Sequence, residues 1–314
     1  MRGTGGTVGA VGQTGAVLID LHCHSTASDG TDTPAELVRA GAAAGLDVMA
    51  ITDHDTTSGW AEAAAALGAG MTLVRGAELS CAAVGESGSE VTVHLLAHLF
   101  DPAHPELDAE LTRLRGERVR RLRVMAERMA ADGLPVDVQA VLTSAGDTLG
   151  RPHLGQALIE AGYVKTMDEA FAGVLSRHGG YYEDKRDTPL LEAVRLVTAA
   201  GGVSTLAHCR AVTRGGVLAE SAIVELAAAG LTGLEVDHAD HTPADRARLR
   251  VLAAELGLVP TGSSDYHGAN KTLRLAENTT TQECFEQLVS EATGVSLLHG
   301  RQDDGSPGDG SGPT

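Results

Sequence analysis

The sequence predicts an α/β fold, an incomplete or irregular barrel of parallel strands with a helical insertion. Three observations carry this. Seven short apolar runs read as strands, Ala/Leu-rich helical stretches follow most of them, and His, Asp and Glu gather just past the strand ends. A chain of 314 residues can bury the core that such a fold needs.

The strand candidates are 17–22, 47–52, 72–78, 91–99, 202–207, 233–237 and 257–261. Each is short and apolar, as expected for a strand covered on both faces. Helices are expected at 34–44, 59–67, 189–199, 218–229 and 243–256. Pro34 follows Thr33, an allowed first-turn position behind a good capping residue. The rhythm breaks from 102 to 188, where no buried strand is evident. Helices at 106–131, 135–144, 153–161 and 167–175 suggest a helical cap inserted between the fourth and fifth strands. The expected division is a barrel from 17–101 and 189–300 with a cap at 102–188. Residues 1–16, rich in Gly and Thr, and the Gly/Ser/Asp/Pro tail at 302–314 are expected to be disordered.

The net charge of -18 argues against a DNA or anionic-membrane partner. No apolar run reaches transmembrane length, and the N-terminus lacks the basic start of a signal peptide. The cysteines Cys23, Cys81, Cys209 and Cys284 form no CxxC pair, which suits a reduced, cytoplasmic setting. Cys23 and Cys209 each follow a histidine. Strand alternation should turn them away from it, into packing roles.

The chemistry is concentrated in Asp20-Leu21-His22-Cys23-His24, Asp29, Ile51-Thr52-Asp53-His54-Asp55, Glu78, His94, His208 and Asp265-Tyr266-His267. In a parallel barrel, the loops at the carboxyl ends of the strands converge on one face. His22 and His24 lie two apart and face one side of an extended chain, and Asp265 and His267 repeat the spacing. Glu78 ends a strand where a carboxylate could bridge two cations. His98 is a spare. The metal-ligand candidates are therefore His22, His24, Asp29, His54, Glu78, His94, His208, Asp265 and His267. Mixed nitrogen and oxygen donors suit Mn²⁺, Fe²⁺ or Zn²⁺ better than Ca²⁺. Asp53 and Asp55 are expected to orient ligands.

Taken together, these segments, with Gly262-Ser263-Ser264 before Asp265, resemble the successive motifs of the PHP (polymerase and histidinol phosphatase) family of metal-dependent phosphoesterases. The similarity runs from about 18 to 292. Gly150-Arg151-Pro152-His153 and Gly180-Tyr181-Tyr182 resemble the branch that includes nucleoside 3′,5′-bisphosphate phosphatases and a 5′→3′ exoribonuclease. Tyr182-Glu183-Asp184 departs from the apolar ending expected there.

The resemblance implies a distorted (β/α)₇ TIM-like barrel holding three divalent ions, Mn²⁺ foremost. His22, His24, Asp265 and a bridging Glu78 would hold the first. Glu78, His94 and His208 would hold the second, and Asp29, His54 and His267 the third. Hydroxide shared by two cations would attack the phosphorus of a small nucleotide. The leading expectation is conversion of a nucleoside 3′,5′-bisphosphate to a 5′-monophosphate. Exoribonuclease action on RNA ends and histidinol-phosphate hydrolysis are the alternatives. An amidohydrolase is disfavoured because no candidate bridging lysine stands at a strand end.

Glu78, Asp265, His238 and His241 form the candidate catalytic set. The two last lie past the sixth strand, where either could protonate a leaving oxygen. Arg151, His153, Arg177 and Lys185 are the candidate substrate contacts, because guanidinium suits phosphate. Seven arginines between 113 and 128 are expected to form a salt-bridged helix face rather than an RNA groove. The chain is expected to be a monomer or small homo-oligomer.

Overall fold

The computed structural model describes residues 16–144, 148–211 and 217–301. Both termini predicted to be disordered lie outside the described residues, apart from residue 16.

The strands are β1 (Ile19–Asp20), β2 (Val48–Ile51), β3 (Thr72–Val84), β4 (Glu90–His98), β5 (Thr188–Pro189), β6 (Val203–Ala207), β7 (Gly233–Asp237), β8 (Val259–Gly262) and β9 (Leu298–His299). The helices are α1 (Pro34–Ala43), α2 (Trp60–Ala65), α3 (Pro105–Ala131), α4 (Val138–Thr143), α5 (Arg151–Glu160), α6 (Met167–Ala172), α7 (Leu190–Ala199), α8 (Glu220–Ala228), α9 (Pro243–Leu256) and α10 (Gln282–Ser290). The sheet runs β1-β2-β3-β4-β6-β7-β8 and curls into a nearly closed, distorted (β/α)₇ barrel. β5 and β9, both unforeseen, pair along β3. At the seam, Cys23 bridges to Tyr266, and the Ser264 amide donates to Asp20 Oδ1 at 3.0 Å.

One expectation needs correcting. β4 is antiparallel to both β3 and β6. The cause is local: only a turn, closed by the Gly85 amide donating to Ser89 O, separates β3 from β4. A parallel neighbour needs a crossover far longer than that. The hairpin also carries β3 on to Val84, beyond the predicted end at 78.

Thr33 caps α1 reciprocally with Glu36, as its position behind the apolar face suggests. Thr242 caps α9, which ends at Gly257 with φ +70, a left-handed C-cap suited to glycine. Outer helices bury Leu37, Val194, Val197, Ile223 and Leu249 against Ile51, Leu79, Leu95 and Leu234 of the sheet. Each such side chain contributes about 1.5–3 kcal/mol of burial free energy. α3 begins on this core through Leu107 and Leu111. Its second half, Leu122 to Met129, packs with Val141, Leu154, Leu158 and Leu175 in a separate cluster. Among the described residues no helix is long and apolar enough to cross a membrane.

Candidate metal centre and the cleft around it

Glu78 lies at the middle of the site, 1% exposed. Its Oε2 is 3.2 Å from His22 Nε2, 3.0 Å from His24 Nε2 and 3.2 Å from His54 Nδ1. Its Oε1 is 2.7 Å from His94 Nδ1 and 3.1 Å from His208 Nε2. Asp265 Oδ1 approaches His22 Nε2 at 3.4 Å and His24 Nε2 at 3.5 Å. Asp29 approaches His267 Nε2 at 3.4 Å and His54 Nε2 at 3.7 Å. All nine sequence-derived candidates therefore meet at one face. His98 does not join them; its Nε2 donates to Leu21 O, 3.0 Å away, and burial lowers its pKa to about 4.

The polypeptide explains the convergence. Alternation sends His22 and His24 inward while Cys23 packs in the core. β4 enters the site in the opposite sense, which brings His94 opposite Ala207, beside His208. Gly30 lets the loop after β1 fold against itself, since a Cβ there would stand 2.5 Å from His24 O. Asp55, His208 and Asp265 hold φ of 55, 25 and 54, in the sparsely populated left-handed region. Such strain persists where surrounding contacts over-determine it.

Three groups of donors are close enough to hold a cation each: His22, His24, Glu78 and Asp265; His54, Glu78 and His94; and His24, Asp29, His54 and His267. The grouping is more shared than the expected pairing. His24 touches two groups, and His54 joins the second as well as the third. The donor chemistry fits divalent ions. His22 Nε2 and His24 Nε2 stand 3.1 Å apart, and both face the same carboxylate. A single proton can sit between them, whereas two lone pairs can share a cation. Burial opposes charge on His24, yet Asp265 and Glu78 push its pKa up to about 9. His267 is lowered to about 4 by burial and then by the Lys271 ammonium. Burial alone would push Glu78 up, but His94, His22 and His54 hold it well below the usual carboxylate range. Opposed shifts within one buried cluster mark a site built for charge.

A supporting layer surrounds the ligands. Asp53 accepts from the Ser25 amide and from the Ser25 and Ser28 hydroxyls. Asp55 accepts from Ser80 and from buried Arg118, whose Nη2 also donates to Ser80 Oγ at 2.7 Å. Glu235 escaped the sequence reading. Its Oε1 lies 3.2 Å from His22 Nδ1, and its Oε2 accepts from the His208 amide at 2.7 Å. Burial would raise its pKa, but His238 and His22 hold it well below the usual range. Lys271 was also missed: its Nζ donates to Asp265 Oδ2 at 2.7 Å.

The expected proton donors sit differently. His241 is engaged on both nitrogens, with Nδ1 3.0 Å from Val236 O and Nε2 accepting from the Arg210 amide. His238 is fully buried; its Nδ1 accepts from the Asp240 amide, and its Nε2 is 3.5 Å from Asp265 Oδ2. Both stand beside the candidate ligands, His238 next to Asp265 and His241 next to His238.

On the cap, Arg121, Arg151 and Arg177 lie over the Tyr182 ring at 4.7, 5.4 and 5.5 Å. Burial, and then neighbouring Arg121, lower the Arg151 pKa to about 10. Lys185 is buried and paired with Asp187, and Arg177 reaches Asp184 at 3.4 Å. His153 Nδ1 accepts from the Gly150 amide at 3.0 Å. The α3 arginines do form ion pairs, as Arg113–Glu110 and Arg120–Glu117. They also hold the 182–188 segment, through Arg120 and Arg128 on Glu183 and Arg113 on Arg186 O.

Residues 20–128 match the PHP domain model. The chain is 34% identical over 252 residues to a 3′,5′-nucleoside bisphosphate phosphatase of Chromobacterium violaceum, covering 79% of this chain and 87% of that one. It is 30% identical to a 5′-3′ exoribonuclease of Haemophilus influenzae, covering 82% and 93%. It is 36% identical to a phosphoribosyl 1,2-cyclic phosphate 1,2-diphosphodiesterase of Eggerthella lenta, covering 80% and 95%. A Bifidobacterium adolescentis structure described as a metal-dependent phosphoesterase superposes with a TM-score of 0.82 at 35% identity, covering 89% and 98%. With nine His, Asp and Glu side chains, eight of them buried, gathered on the matching barrel, the chain belongs to the PHP family of metal-dependent phosphoesterases and is a phosphoric ester hydrolase.

Proposed function

We propose that the chain hydrolyses nucleoside 3′,5′-bisphosphates to 5′-monophosphates and phosphate, using three divalent ions, Mn²⁺ foremost with Fe²⁺ or Zn²⁺ as substitutes. His22, His24, Glu78 and Asp265 hold one ion. His54, Glu78 and His94, with His208 alongside, hold the second, and Asp29, His54, His267 and His24 the third. Bound there, the ions supply a water of lowered pKa and neutralise charge on the phosphoryl and leaving oxygens. Asp53, Asp55 and Glu235 orient the ligands, and His238 steadies Asp265.

The observation that carries the bisphosphate reading is the guanidinium cradle beside this centre. Beside Gly150, Arg118 Nη1 and Asp29 Oδ2 both come within 4 Å of the place a Cβ would take, so a cation and a candidate ligand stand close together. Arg121, Arg151 and Arg177 continue the positive wall around Tyr182. A substrate with a second phosphate satisfies that wall while its first meets the ions. The Chromobacterium relative, named for this substrate, supports the same reading.

Action on RNA ends is the second reading, supported by the Haemophilus relative. Its proposed channel along α3 is weakened because Arg113, Arg120 and Arg128 already grip the 182–188 segment. The partner is thus a small phosphorylated molecule, with no DNA or membrane partner. A monomer or small homo-oligomer in a reduced cytoplasm completes the reading, in keeping with four unpaired cysteines.

The test is phosphate release by Mn²⁺-loaded protein from adenosine 3′,5′-bisphosphate, AMP, histidinol phosphate and a short 5′-phosphorylated RNA. One extra charge-assisted contact should favour the bisphosphate over AMP about tenfold or more in kcat/KM. Arg151→Ala should erase that preference. Mononucleotides released from RNA, with the bisphosphate untouched, would move the function to the exonuclease.

A further inference from the structure

An opening meets the centre beside Asp29. It lies between the loop after β1 and helix α5, has a volume of about 160 Å³, and is bordered by Thr26, Thr31, Ser144, His153, Gln156 and Asn270. Asp29 also borders it, so it opens directly on a ligand of the centre. Among the described residues no lysine or arginine lines it. A phosphate would therefore gain little here, whereas hydroxyls and carboxamides suit neutral donors and acceptors.

The wall groups are polar and neutral, and Gln156, whose Nε2 donates to Glu160 Oε1 at 2.9 Å, keeps its amide oxygen as an acceptor. His153 and Gln156 lie one turn apart on α5 and so share a face. His153 Nδ1 stands 3.0 Å from the Gly150 amide nitrogen and 3.1 Å from Gly150 O, which fixes the ring at the start of α5. Burial lowers the ring's pKa and favours its neutral form. Asn270 Nδ2 donates to Asp29 O at 2.8 Å, which leaves its carbonyl oxygen as an acceptor for the opening. The same hydrogen bond fixes the Asp29 backbone to the far wall.

We infer that this cleft holds the uncharged nucleoside body of the substrate, with His153, Gln156 and Asn270 as its polar contacts. The inference rests on the bisphosphate reading and deepens it. The ester phosphate meets the ions at Asp29, the second phosphate turns to the cradle at Arg151, and sugar and base occupy the neutral side. His153 then reads the body of the substrate, not a phosphate.

The test uses the full metal-loaded chain, with adenosine as the probe. Gln156 is exposed, so Gln156→Ala and Gln156→Trp leave the cap core intact. Saturation-transfer NMR should detect adenosine on the wild type and lose it on Gln156→Trp, which fills the cleft. Gln156→Ala should raise KM for adenosine 3′,5′-bisphosphate about threefold to tenfold, the cost of one hydrogen bond. Absence of adenosine binding while the bisphosphate is hydrolysed would overturn the cleft and leave the activity standing. Adenosine binding that Gln156→Trp does not disturb would also overturn it. Adenosine binding lost in Gln156→Trp, without phosphate release from any nucleotide, would support the cleft and sink the proposed activity instead.

Discussion

At the scale of single residues, the site depends on carboxylates that never face the opening. Glu235 holds His22 by its ring and His208 by its backbone, so it sets the aim of two ligands at once. Such partners typically matter about 10–100-fold in metal affinity. Glu235→Gln should lower affinity for Mn²⁺ by that order, read by metal titration, with fold retained by circular dichroism. Arg118 differs in kind. It is a buried cation paired with buried Asp55, and removing one partner strands the other. Arg118→Ala should cost about 3–5 kcal/mol in urea unfolding. The nine ligand candidates were legible because each belongs to a short motif or follows an apolar run. Glu235 was not, since a single acid between Leu234 and Val236 looks like an ordinary alternating strand position. Arg118 gave a readable signal that composition concealed. It falls in register with Leu107, Leu111, Leu114, Leu122 and Met125, on the buried stripe of α3. His238 and His241 were placed on the right side of the barrel. Sequence does not reveal that a ring nitrogen is already occupied by backbone.

At the scale of elements, apolar periodicity located all seven main strands, because buried strands are read by composition. Direction is set by the connections. A five-residue gap between Val84 and Glu90 admits only a hairpin, and that reverses β4. The consequence is functional, since the reversed strand delivers His94 to Glu78. The cap shows the same logic of local connection. Its helices bury their own apolar cluster, so damage there should stay partly local. Leu154→Ala should cost about 2–5 kcal/mol and speed hydrogen exchange in α3 to α6 before the barrel strands. Among the contacts that hold the 182–188 segment are partly exposed ion pairs on Glu183, each worth about 0–1 kcal/mol. Glu183→Ala should therefore change global stability little while loosening that segment, as read by limited proteolysis.

At the scale of the whole molecule, a chain of net charge -18 gathers three carboxylates and six imidazoles, its metal-ligand candidates, in one centre. Concentrating anions there favours any ligand that brings positive charge. Divalent ions should stabilise the fold by mass action, by about 2.7 kcal/mol at 100 times their dissociation constant. Chelation should lower Tm, and Mn²⁺ should restore it. The central claim is that Glu78 organises a metal centre on which phosphate ester hydrolysis depends. The measurement that tests it most directly is elemental analysis and phosphate release, run together on the intact chain and on Glu78→Gln. The expected result is several divalent ions on the intact chain, fewer on the variant, and a loss of phosphate release of about 10³-fold or more. Undiminished release from the metal-depleted variant would contradict it.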